Sequence, residues 1–201
     1  MSVRVLQEGD LGLAASADLA VARAHAAAAR PGTPDHEVNR ARVLAFADAH
    51  ADALVRWCVE GHLTGSAMVV DPATRRVVLL LHRKLGRWLQ PGGHADGDAN
   101  LPAVALREAS EETGIAGLRV VTPAVDVDVH EVGPPPFHLH LDVRYLVVAP
   151  PKAELAPNDE SLDMRWVAPG EMAAYGADPG TVRLATAALR ALDELEAAGA
   201  V

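Results

Sequence analysis

The last two thirds of the chain alternate short apolar runs with helical segments, and this alternation restricts the fold more than any other feature. Residues 62–70 and 77–83 are apolar runs separated by a turn-forming sequence, which predicts a hairpin. Two further runs, 118–130 and 137–149, are joined by a proline-rich loop, and a final helix is predicted over 181–197. Interleaved strands and helices favour a layered α/β or α+β domain.

The N-terminal segment has a different character and is expected to be helical. An alanine-rich stretch ends at Pro31, and Thr33 has the character of a cap for a second helix. Apolar residues of that second helix recur at steps of three and four, which gives it one face to bury. We therefore divide the chain into an N-terminal helical extension, 1–58, and a main domain, 59–201.

Charge and cysteine content exclude several kinds of partner. The formal net charge is −9, whereas proteins that bind duplex nucleic acid usually carry a basic surface, so we expect no such partner. Cys58 is the single cysteine, which favours a reducing compartment. No apolar run approaches the roughly 18 residues of a membrane span, and no signal peptide is evident. We expect a cytoplasmic protein with no membrane partner.

Residues 107–115, REASEETGI, concentrate negative charge within what should be a single helix. Three glutamates, Glu108, Glu111 and Glu112, fall within an arc of roughly 100° on a helix expected over 101–113. Like charges at these spacings repel one another and destabilise a helix. A hard divalent cation such as Mg²⁺ would offset that repulsion. Arg107 lies four residues before Glu111 and is expected to brace it. A solvated acidic helix end is the alternative.

The stretch from Gly93 to Ile115, GHADGDANLPAVALREASEETGI, resembles the Nudix box. The match includes the first glycine and the R-E-apolar-x-E-E-x-G-apolar half, but Ala99 stands where the pattern has its first glutamate. Asp96 or Asp98 could supply the missing carboxylate. If the missing glutamate costs only loop support, the Ala99→Glu variant should keep or gain activity. The resemblance implies a Nudix-like α/β/α sandwich with a mixed sheet.

The resemblance also implies a metal-dependent hydrolase that cleaves a diphosphate linkage in a nucleoside diphosphate derivative or a related small phosphorylated metabolite. The expected cofactor is Mg²⁺ or Mn²⁺. The residues that the resemblance assigns to the metal are Gly92, through its carbonyl, with Glu108, Glu111 and Glu112. Catalytic roles fall to Arg107 and Glu111, and the general base could instead lie on a later loop that contains Asp159 and Glu160. A solvated acidic loop is the alternative interpretation of that segment.

Other polar residues are candidates for substrate contact. Arg83 and Arg87 precede the box in an acidic chain and could bind phosphate, although they could equally be surface cations. Alternation in the last two long strands places His140 and Arg144 on one polar face. A symmetric hairpin would set His130 opposite His138, and an ordinary half-solvated strand is the alternative.

Three classes of function remain open from the sequence. The first is hydrolysis, which the intact arginine and glutamate set favours. The second is a Nudix-fold module that binds a nucleotide metabolite without cleaving it, with Ala99 as the residue that favours it. An isomerase ranks last because it would need a reactive cysteine, and Cys58 precedes the main domain. The expected partner is a small phosphorylated metabolite, and a homodimer is left open.

Overall fold

The computed structural model describes residues 2–30, 32–133, 137–156, 158–159 and 161–200. The strands are β1 (Arg4–Gln7), β2 (Gly61–Val70), β3 (Val77–His82), β4 (Arg87–Leu89), β5 (Gly92–His94), β6 (Arg119–Thr122), β7 (Asp126–Val132), β8 (His138–Val148) and β9 (Ser161–Val167). The α-helices are α1 (Leu19–Ala28), α2 (Pro34–Ala49), α3 (Leu101–Thr113) and α4 (Pro179–Ala197), with short 3-10 helices at Leu11–Leu13 and Pro169–Tyr175. Within these ranges, no helix has the length and apolar character needed to cross a bilayer.

Strands β2 and β8 form the centre of the sheet and run parallel, with Gly61 opposite Leu139 and Val70 opposite Val148. At one end of this pair, β7 is added to β8 and β5 is added to β2. At the other end, β6 pairs with β8 and β3 pairs with β2, and the outer strands β1, β4 and β9 extend the sheet. The sheet is open and mixed, so the predicted α/β class is confirmed.

The two faces of the sheet carry separate cores because successive side chains of a strand point to opposite sides. Leu63 and Val69 of β2 pack in the core that includes α3, α1 and α2. Met68 and Val70 pack in the core that includes α4. The layers are therefore helices, sheet and helix. Polar residues of β2 and β8 that share the alternation of Met68 lie on the α4 face.

The structure corrects three sequence expectations. The predicted strand 118–130 is two strands, β6 and β7, because Pro123 interrupts the ladder and has no N–H to donate. In the β7–β8 hairpin, His130 is opposite His140 rather than His138. The symmetric register would have placed a proline within the ladder, which explains the shift of two residues. Residues 1–58 are not all helical, since β1 pairs with β6.

Candidate active site

Helix α3 has the bounds that the sequence predicts, because local signals define both ends. Pro102 occupies its first turn, and Gly114 ends it in the left-handed conformation with φ of 67°. The three glutamates differ in burial along the last two turns. Glu112 is buried at 7% exposure, Glu108 is half-buried, and Glu111 is exposed. The helix therefore presents a graded set of carboxylates from the core to the solvent.

Strand β5 packs against these carboxylates. The Gly92 N–H donates to Glu112 Oε2 at 2.9 Å, which ties the helix to the strand. A Cβ at residue 93 would collide with the Glu108 carboxylate, so only glycine permits this approach. Backbone atoms of β5 and carboxylates of α3 thus share one small region, as the box resemblance implies.

The negative charge of this region is only partly compensated. Burial raises the pKa of Glu108, and the Arg107 guanidinium, whose Nη2 lies 3.2 Å from Glu108 Oε1, offsets that effect only in part. The expected bond between Arg107 and Glu111 is not formed within the part of the chain that the structure describes. Arg107 pairs with its neighbour instead, since the half-buried carboxylate gains more from a counter-charge than the exposed one.

The loop that lacks the first box glutamate is held by the N-terminal segment. Ala99 is fully buried in the core, and its N–H donates to the Ser16 carbonyl at 2.6 Å. The Asp98 carboxylate accepts from the Ser16 N–H at 3.1 Å, and Asp96 forms a bidentate pair with Arg56 at 2.6 and 2.7 Å. Both aspartates are therefore engaged with residues before 59. Because Ala99 is fully buried, Ala99→Glu would place a carboxylate among apolar side chains. We therefore now expect this substitution to destabilise the fold rather than to keep or raise activity.

Of the two predicted cations, Arg83 is connected to the end of α3 by hydrogen bonds. Arg83 follows β3, and its Nε donates to the Asp159 carbonyl at 2.6 Å. The adjacent Asn158 donates to the Glu111 carbonyl at 3.2 Å, so a short loop connects Arg83 with the acidic helix. Arg87 begins β4, is exposed, and pairs in register with His82. Glu160, the candidate general base, lies outside the described residues.

Arg144 lies on the α4 face of the sheet, away from the α3 glutamates, and is enclosed by protein carboxylates. It is 3% exposed, and its guanidinium lies 2.7 Å from Asp142, 2.9 Å from Asp128 and 3.4 Å from Asp126. The guanidinium of Arg183 in α4 lies 2.7 Å from Asp128 and 3.0 Å from Asp126. Burial favours a higher pKa for Asp128, but contacts with His130, Arg144 and Arg183 outweigh it and lower the pKa. Arg144 thus helps to hold β7, β8 and α4 together.

A cluster of five histidines lies on the same face, near the first residues of β2 and β8. His130 of β7 is opposite His140 of β8, and His140 is in turn opposite His62 of β2. Neighbouring ring centroids lie 4.8–5.6 Å apart. The histidine cluster consists of His62, His94, His130, His138 and His140. Burial, with the nearby imidazoles, lowers the pKa of His62 to about 4 and that of His140 to about 2. Sequence reasoning found His140 but missed His62 and His94, although His62, Thr64 and Ser66 alternate with apolar residues in β2.

Comparisons with known proteins agree on one family. Residues 62–194 match the family model described as NUDIX domain. A protein of Mycobacterium tuberculosis named "Putative 8-oxo-dGTP diphosphatase 3" is 36% identical over 111 residues, which are 51% of this chain and 49% of that protein. The chain therefore matches about half the length of this curated relative.

Solved structures share the fold at lower identity. A NUDIX-family hydrolase from Clostridium perfringens is 24% identical with a TM-score of 0.51, covering 67% of this chain and 97% of its own. The dihydroneopterin triphosphate pyrophosphohydrolase of E. coli is 17% identical with a TM-score of 0.54, and the match covers 61% of this chain and 91% of that protein. An Ap4A hydrolase of C. elegans is 15% identical with a TM-score of 0.53, and the match covers 64% of this chain and 97% of that protein.

Proposed function

Because the chain belongs to the Nudix family, we propose that it hydrolyses a diphosphate linkage in a nucleoside diphosphate derivative, with a divalent cation as cofactor. The observation that carries this proposal is the packing of β5 against the carboxylates of α3. Gly93 leaves space for the Glu108 carboxylate, and the Gly92 N–H fixes Glu112. Two carboxylates are thereby held against one backbone segment, with Glu111 on the same helix, and this arrangement supports a cation site.

The donor set fits Mg²⁺ or Mn²⁺, both of which prefer oxygen ligands. The residues proposed to hold the ion are the Gly92 carbonyl, Glu108, Glu111 and Glu112. Such an ion, when bound, neutralises phosphate oxygens and lowers the pKa of a coordinated water. Arg107 orients Glu108 through their 3.2 Å contact and limits the repulsion between the carboxylates. We propose that Glu111, the exposed member, orients water, and Glu160 remains a proposed alternative base.

The substrate contacts that we propose are Arg83 and Arg87. The loop contact of Arg83 places it beside the segment that bonds to the Glu111 carbonyl, so a phosphate at the acidic helix end would lie near a cation. His140 and Arg144, also assigned to substrate on sequence grounds, lie on the other face of the sheet, and Arg144 is buried. We therefore leave both out of the proposed phosphate site.

The substrate class follows from the relatives by analogy. The curated relative is named for 8-oxo-dGTP and one structural neighbour for Ap4A, and both compounds are nucleotides with linked phosphates. We propose a small phosphorylated metabolite of this kind, a cytoplasmic location, and no duplex nucleic acid or membrane partner. A homodimer remains a separate proposal.

The test is a panel of 8-oxo-dGTP, unmodified nucleoside triphosphates, an ADP-sugar and Ap4A, each incubated with Mg²⁺ or Mn²⁺. Ion-exchange chromatography of the products identifies the linkage that is cleaved. We expect turnover of at least one compound, loss of turnover in excess chelator, and recovery when the ion is restored. Full turnover in chelator would refute the proposed cofactor. Tight binding of a panel compound without cleavage would instead support the alternative, a nucleotide-sensing module.

A further inference from the structure

The histidine cluster contains three imidazoles in a compact triangle, separate from the α3 carboxylates. One ring nitrogen from each of His62, His94 and His140 lies within 4.8 Å of the other two. Their ring centroids are 4.8, 4.9 and 4.9 Å apart. These side chains come from three adjacent strands, β2, β5 and β8, whose pairing fixes their relative positions.

His62 supplies an independent indication that this triangle is a binding site. It is 3% exposed, and neither of its ring nitrogens has a hydrogen-bond partner among the described residues. Buried polar atoms are normally paired, because leaving one unpaired loses its interaction with water without replacement. A ligand that accepts the lone pair of an imidazole nitrogen would satisfy one of these two atoms.

We propose that His62, His94 and His140 bind a divalent transition-metal ion such as Zn²⁺, each through one nitrogen. Imidazole nitrogen suits Zn²⁺, Cu²⁺, Fe²⁺ and Ni²⁺, whereas Mg²⁺ prefers oxygen. Zn–N bonds of about 2.1 Å in tetrahedral geometry place ligand nitrogens about 3.4 Å apart, so small side-chain rotations close the triangle.

Three protein ligands leave one tetrahedral position open for a water molecule or a substrate group. The remaining members of the histidine cluster lie beside the triangle. The rings of His130 and His138 are 5.6 and 5.4 Å from that of His140, and the side chain of His130 is 41% exposed. The site is therefore reachable from solvent through a rim that can donate or accept hydrogen bonds. This proposal does not depend on the hydrolase activity, since it concerns different residues on the other face of the sheet.

The test is a calorimetric titration of the metal-free protein with ZnCl₂ in the presence of excess Mg²⁺, which occupies oxygen sites. We expect one Zn²⁺ per chain and a higher thermal midpoint with Zn²⁺. His62→Gln, His94→Gln and His140→Gln should each weaken binding at least about 100-fold, since even indirect partners of a metal ligand contribute 10–100-fold. His82→Gln, at the end of β3 and outside the histidine cluster, is the control and should change affinity by less than about threefold. Co²⁺ in place of Zn²⁺ should give the strong visible absorption of a tetrahedral site.

Several results would overturn the proposal. These are no Zn²⁺ binding by the unmodified protein, or unchanged affinity in any ligand variant that remains folded by circular dichroism. A doubly substituted protein, Glu108→Gln with Glu112→Gln, separates the two sites. Retention of Zn²⁺ by this protein supports the histidine site. Its loss, with normal binding by the three histidine variants, would place the ion at the carboxylates and refute the proposal.

Discussion

Arg144→Met should destabilise the protein strongly, because Arg144 is buried among three aspartates. The substitution keeps most of the side-chain volume but removes a guanidinium from all three aspartates. Among the described residues, Asp126 and Asp128 keep their contacts with Arg183, whereas Asp142 keeps a hydrogen bond from the Thr64 hydroxyl. Breaking a buried ion pair on one side usually costs about 3–5 kcal/mol. For a chain of this size, 1 kcal/mol shifts the thermal midpoint by about 2–4 °C, so we expect a decrease of about 6–20 °C.

The assay is thermal and urea unfolding followed by circular dichroism, with Arg165→Met as the matched control. Arg165 also pairs with an aspartate, Asp163 at 2.7 Å, but the two side chains are 56% and 37% exposed, so its loss should change stability little. An equal effect of the two substitutions would refute the structural role of Arg144. A raised KM with an unchanged thermal midpoint would restore its sequence-based assignment as a substrate contact.

Three further predictions concern the glycine that contacts Glu108, the buried Ala99 and the aspartates around Arg144. Gly93→Ala should lower kcat by about 10²-fold in a turnover assay, because the added Cβ displaces Glu108; unchanged kcat would contradict this. Ala99→Glu should lower the free energy of unfolding by about 3 kcal/mol or more in urea, since residue 99 is fully buried; normal stability would show that the loop can rearrange. The lowered pKa values of Asp126 and Asp128 stabilise the fold above their unfolded pKa of about 3.9, and this stability should be lost as pH falls below that value. Urea midpoints that stay constant from pH 6 to pH 3 would contradict the last expectation.

The sequence predicted helix α3 correctly because its determinants are local. A proline in the first turn and Gly114 after the last turn define its ends without reference to the rest of the fold. The spacing of Glu108 and Glu112 likewise places them on one face by helix geometry alone. The approach of β5 to these carboxylates was implied by the box resemblance, and the close fit at Gly93 is a feature of the folded chain.

Sequence reasoning failed where strands distant in the chain meet. His62 and His140 are separated by 77 intervening positions, and only the parallel register of β2 and β8 places them side by side. A shift of two residues in the predicted β7–β8 register also gave His130 the wrong partner. The alternation in β8 correctly placed Arg144 on the polar face. The alternation could not reveal that Arg144 is buried. That burial depends on α4, whose Arg183 contacts two of the same aspartates.

The central claim, that the carboxylates of α3 perform metal-dependent hydrolysis, is tested most directly by the turnover of Glu112→Gln. Glu112 is buried, and its carboxylate accepts a hydrogen bond from the Gly92 N–H. Glutamine has the size of glutamate, so the variant should remain folded, but it lacks the negative charge of the carboxylate. With Mg²⁺ and a substrate that the unmodified protein cleaves, we predict that kcat falls by at least about 10²-fold, since such electrostatic contributions amount to several kcal/mol. Turnover equal to that of the unmodified protein would contradict the account.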